Sequence, residues 1–76
     1  MFTEGSIIKL GENNNYVVVF STMYNNENYI FVTNEDNFFD SKFYKNKNFK
    51  NLEIVENGEI IKELLNIYQE RIESEG

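Results

Sequence analysis

The sequence predicts an α+β domain: a four- or five-stranded antiparallel sheet, curled or barrel-like, with one C-terminal helix packed on it. Three observations carry this reading. Val17-Val18-Val19-Phe20 and Tyr29-Ile30-Phe31-Val32 are β-branched and aromatic runs bounded by Asn-rich punctuation. From residue 60 to 72 the apolar residues recur with a helical period. The 76 residues contain no Pro and no Gly/Ser-rich linker, which leaves one domain spanning 1–76.

Ile7, Ile8 and Leu10 supply a first strand at about 6–10, and Gly11 to Asn15 link it to a second at 16–24. Period-two alternation places Tyr16, Val18, Phe20 and Tyr24 on one face of that strand, with Val17, Val19 and Met23 on the other. Apolar residues on both faces need cover on both, from a central position or from a sheet that curls on itself. Curling also shortens exposed edges. Asn25-Asn26-Glu27-Asn28 reads as a hairpin loop, since Asn tolerates positive φ. Strands then follow at 29–33, 38–44 and 52–55. Asn57 is suited to cap a helix at about 58–73, with Glu59 in its first turn. Ile60, Ile61, Leu64, Leu65, Ile67, Tyr68 and Ile72 share one arc, and Leu64 and Tyr68 should be deeply buried. Glu59, Lys62, Glu63, Asn66, Gln69, Glu70 and Glu73 fill the opposite arc.

A chain this short buries about 60% of its unfolded surface and should be stable by roughly 4–11 kcal/mol. Twelve aromatics among 76 residues nonetheless suffice for one core, which argues against disorder. The chain has neither Cys nor His, which removes disulfides, thiolate nucleophiles, most transition-metal sites and the usual base near neutral pH. No stretch has secretory or membrane-spanning character, so a cytoplasmic protein without membrane association is expected.

No catalytic motif replaces the missing residues. Glu35-Asp36 and Asp40 flank a turn, and Asn34 to Asp40 lacks the ligand pattern of an EF-hand. Gly5, Gly11, Gly58 and Gly76 are isolated, so no phosphate-cradling loop is present. Ser6, Ser21, Ser41 and Ser74 have no His to activate them. The expectation is a non-enzymatic protein without metal or cofactor.

Charge is more informative. Residues 38–52 carry Asp40 against four lysines, whereas the segments on either side are acidic, for a net charge of −6. Lys42, Tyr44, Lys45, Lys47 and Lys50 form a candidate basic-aromatic patch, because lysines bind phosphates and rings stack on bases. Direct nucleic-acid binding is still not expected, since net acidity opposes a polyanion elsewhere. The second candidate is a stripe of Glu59, Glu63, Glu70 and Glu73 about 21 Å long, reinforced by Glu56 near the helix start. Such a row either solubilises the helix or meets a basic groove in place of a phosphate backbone.

The order Gly5-Ser6-Ile7-Ile8-Lys9-Leu10, Tyr16-Val17-Val18-Val19, Tyr24, Tyr29-Ile30-Phe31-Val32, then Val55 leading into Ile60-Ile61-Lys62-Glu63-Leu64-Leu65, resembles a known type. It is similar to short bacterial and mobile-element proteins of unknown function, with an aromatic-rich β-meander closed by an amphipathic helix. These shared patterns are core patterns, so no functional residues carry over. In type alone the chain is similar to phage-encoded anti-defence inhibitors, including anti-CRISPR proteins. The resemblance implies an inhibitor or decoy in the cytoplasm of a bacterial host cell, docking on a basic surface of a nucleic-acid-handling protein. The alternatives are a housekeeping module acting through sheet-edge pairing or self-association, with a homodimer open, and a β-barrel for a small ligand.

Overall fold

Asn25 and Asn26 take positive φ values of 51° and 64°, the two left-handed residues that a two-residue type I′ hairpin requires. The turn is therefore shorter than the four-residue loop expected, and Glu27 and Asn28 join the strand after it. The computed structural model describes residues 3–10, 14–48 and 51–75. Its elements are β1 (Ile7–Lys9), β2 (Asn15–Tyr24), β3 (Glu27–Asn34), β4 (Ser41–Asn48), β5 (Asn51–Ile54) and α1 (Gly58–Glu75). All neighbours are antiparallel and the sheet order is β1-β2-β3-β4-β5, a meander curled into a half-barrel. Of the expected link from Gly11 to Asn15, residues 11–13 lie outside the described residues, as do Phe49 and Lys50, and Asn15 already belongs to β2.

Strand β2 departs from simple alternation. Val18 pairs with Val32, but Phe20 pairs with Phe31, so Val19 is a surplus residue in a β-bulge. Val32 and Phe31 are consecutive and point to opposite faces, and their partners must do the same. Tyr16 and Val18 therefore belong to one face, and Phe20 and Tyr24 to the other. The expected grouping of all four on one face fails for this reason.

The inner face has its core in Tyr16, Val18, Ile30 and Val32, with Ile8, Leu10, Tyr44 and Leu52 packed around them. Residues from both ends of the meander thus cover the middle, which is the geometric content of the curl. Polar groups close the two ends of this strip. At one end Asn28 donates to Ser21 Oγ and to the Thr22 carbonyl, each at 3.1 Å, and Asn46 donates to Asn28. At the other, the Tyr16 hydroxyl donates to Asp40 at 2.5 Å.

The outer face carries the helix. Phe20, Phe31 and Phe43 stand side by side on three adjacent strands, and Tyr68 lies on Phe20 and Phe31 with ring centroids 5.0 and 5.9 Å away. Leu64 joins Tyr29 and Phe43 in the second buried cluster. Leu64 is fully buried as expected, while Tyr68, expected to be deeply buried, is half-buried, about 40° round the helix from Leu64. Leu65 and Ile72 are exposed, contrary to their place on the expected apolar arc. They sit about 80–100° round the helix from Leu64, beyond the reach of a narrow sheet.

Leu64→Ala should cost about 2–5 kcal/mol, a large part of the total, whereas Leu65→Ala should cost under about 1 kcal/mol. Urea unfolding of the two variants checks this; equal costs would place the helix in a different rotation.

Candidate functional site

Helix α1 is fixed at both ends before its outer surface is considered. Asn57 Oδ1 accepts the backbone N–H groups of Glu59 and Ile60 at 2.9 and 3.3 Å, the expected cap. Near the other end, both carboxylate oxygens of Glu4 accept from the Arg71 guanidinium, which also lies 5.4 Å from the Phe20 ring centroid. Glu4 further accepts the Ser21 N–H at 3.1 Å, tying the N-terminal segment, β2 and the helix together. Arg71, ahead of that backbone bond, holds the Glu4 carboxyl below its ordinary range.

With the helix so held, Glu59, Glu63, Glu70 and Glu73 point away from the sheet, and all four are exposed, as is Glu56. The predicted stripe is thus a single surface. Among the described residues no ion pair engages any of these five carboxylates. The pairs that form elsewhere are Asp40–Lys42, Glu27–Lys45, Glu53–Lys47 and Glu4–Arg71. A cleft of about 260 Å³ beside the helix start is lined by Glu53, Glu56 and Lys45 together with Tyr29 and Ile60.

Those pairs also determine what becomes of the basic-aromatic stretch. Strand alternation sends Lys42 and Tyr44 to the inner side and Lys45 to the outer side. Lys42 meets Asp40 at 3.1 Å and lies 5.1 Å from the Tyr16 ring centroid; Tyr44 is half-buried against the inner core. Lys45 pairs with Glu27 at 2.8 Å and Lys47 with Glu53 at 2.5 Å. Lys50 lies outside the described residues. The lysines that cluster in sequence are therefore divided between two faces and matched one by one with acids on neighbouring strands or the adjoining loop.

The loop from Asn34 to Asp40 was expected to yield to a strand at residue 38, but β4 starts at Ser41. Two asparagines override the β-propensity of Phe38 and Phe39. Asn34 Oδ1 accepts the Asp36 N–H at 2.8 Å and Asn37 Oδ1 accepts the Phe39 N–H at 3.1 Å, two successive Asx turns. The Phe38 carbonyl accepts from Thr33 and Ser41 hydroxyls, and the Glu35 N–H donates to the Asn15 carbonyl. Asp40 closes the loop by accepting from Tyr16, Asn34 and Lys42. Phe38 is left 77% exposed and Phe39 fully exposed. Sequence reasoning missed this pair; the signal was the cluster of turn-forming Asn and Asp on both sides of it.

Among the described residues, no three acidic side chains converge as a metal cage would require. Among the described residues no helix is long and apolar enough to cross a membrane. In comparisons with known proteins, no family model, no characterised protein and no solved structure matches the chain.

The Asp40 latch has a pH signature. The Tyr16 hydrogen bond, then the Lys42 contact, hold the Asp40 carboxyl below its ordinary range. A folded-state value depressed below the unfolded one contributes stability that is present above about pH 4 and lost as pH falls through the folded value. Asp40→Asn should therefore lower Tm at neutral pH, with a gap from the original protein that closes on acidification below about pH 4. A gap independent of pH, in melts from neutral to strongly acid, would remove the charge from the latch.

Proposed function

We propose that this chain is a non-enzymatic, acidic protein-binding domain that docks the outer face of its helix on a basic surface of a nucleic-acid-handling protein, as an inhibitor or decoy. The observation that carries this reading is the row of Glu59, Glu63, Glu70 and Glu73. It is exposed, free of ion pairs among the described residues, and held on a helix locked at both ends. A fixed row of like charge raises the association rate with an oppositely charged groove and rejects acidic surfaces. The four residues share an arc of about 80° and span about 21 Å of the helix axis, a geometry that a groove built for a phosphate backbone would accept.

Edge pairing has less support. The two outer strands, β1 and β5, have three and four residues, so each offers a short ladder to an added strand. A small-ligand barrel has less still, because Val18, Ile30 and Val32 fill the inner face and are fully buried there.

Replacing Glu59, Glu63, Glu70 and Glu73 with Gln together should leave Tm unchanged or slightly raised, since exposed charges add little to folding. With a partner recovered from the source cell, the same variant should associate at least about tenfold more slowly, and the original affinity should fall as salt rises. Affinity flat from low to high salt would overturn the proposal.

A further inference from the structure

The loop between β3 and β4 presents two adjacent phenylalanines to solvent at one end of the molecule, 77% and 100% exposed. Single exposed apolar residues are ordinary, but a contiguous aromatic pair is the composition of an interface anchor. We propose that this loop is a preformed docking finger whose Phe38-Phe39 pair enters an apolar cleft on a protein partner, a cleft rimmed by Lys or Arg side chains that meet Glu35 and Asp36.

Hydrogen bonds hold the finger in shape without a partner. Asx turns at Asn34 and Asn37, the Thr33 and Ser41 hydroxyls on the Phe38 carbonyl, and the Asp40 latch fix its backbone from both strands. A loop already ordered forfeits little further conformational entropy on association, so the burial of two rings converts efficiently into affinity.

Charge selects the occupant. Glu35 and Asp36 are exposed beside the rings, and among the described residues neither takes part in an ion pair. An anionic membrane would repel them. A second copy of this chain carries a net charge of −6. Among its described residues Lys42, Lys45, Lys47 and Arg71 are already engaged by Asp40, Glu27, Glu53 and Glu4. The remaining Lys9 and Lys62 lie apart, on β1 and α1, so they form no basic rim. A different protein with a basic rim is what remains. The inference does not rest on the helix stripe, and the two surfaces are tested separately.

The full chain carrying a photo-crosslinking phenylalanine analogue at position 39 is expressed in the source cell and the adduct is mapped. The expected product joins position 39 to one protein, at an apolar cleft bordered by Lys or Arg. With that protein purified, the double variant Phe38→Ser/Phe39→Ser should weaken Kd about thirtyfold or more, with Tm unchanged or raised. Glu35→Gln/Asp36→Asn should weaken binding several-fold and flatten its salt dependence. An adduct to lipid or to a second copy, no adduct, or a Kd unmoved by either pair would overturn the proposal. So would a fall in Tm for the Ser variant, which would assign the rings to folding.

Discussion

A single surplus residue in β2 decides which side chains serve which core. Three valines stand in a row, and the ladder to β3 uses only two of them; Val19 has no partner of its own. The strand therefore changes phase, and Tyr16 and Val18 enter the inner core while Phe20 completes the aromatic row beneath the helix. A sheet of one layer with one helix must keep both faces apolar without a second layer on the inner side. Curling provides that cover, and a bulge adds local twist in the direction of the curl.

The working surfaces follow from this arrangement. Because Phe20, Phe31 and Phe43 form a continuous seat, Leu64 and Tyr68 settle on it in one rotation and the carboxylate stripe faces outward. The Glu4–Arg71 pair then spans the N-terminal segment and the helix, with the Ser21 N–H just past the bulge as a third member. On the opposite flank, the cross-strand register spends the lysines of β4 on nearby acids. The molecule's net negative charge is thereby concentrated on the helix and at the tip of the β3–β4 loop.

Much of this was legible in the residues, and the exceptions have physical causes. The helix was readable because Asn57 supplies an N-cap and the apolar period continues to Ile72; only the margins, Leu65 and Ile72, depended on the width of the sheet. The hairpin at Asn25-Asn26 was readable from the tolerance of Asn for positive φ. The bulge was not, since three identical valines carry no information about which of them lacks a partner. The exposed Phe38-Phe39 pair was misread because aromatic residues favour strands on average, and only the side chains of Asn34, Asn37 and Asp40 outcompete that preference locally. The division of the lysines depended on cross-strand register, which sequence spacing does not state.

The bulge can be tested by removing it. Deleting one valine from Val17-Val18-Val19 leaves two, enough to pair with Thr33 and Val32 while Tyr16 still meets Asn34 and Phe20 still meets Phe31. Both cores survive in that register, so the variant should unfold cooperatively, with the near-ultraviolet signal of packed tyrosines and a modest loss of Tm from the lost twist. Deleting Thr22 should abolish folding, because even if the surplus Val19 takes up the lost residue Phe20 is turned to the face opposite Tyr24 and leaves the aromatic row beneath the helix. An unfolded single-valine deletion, or a folded Thr22 deletion, would contradict the account of how this chain divides its side chains between two cores.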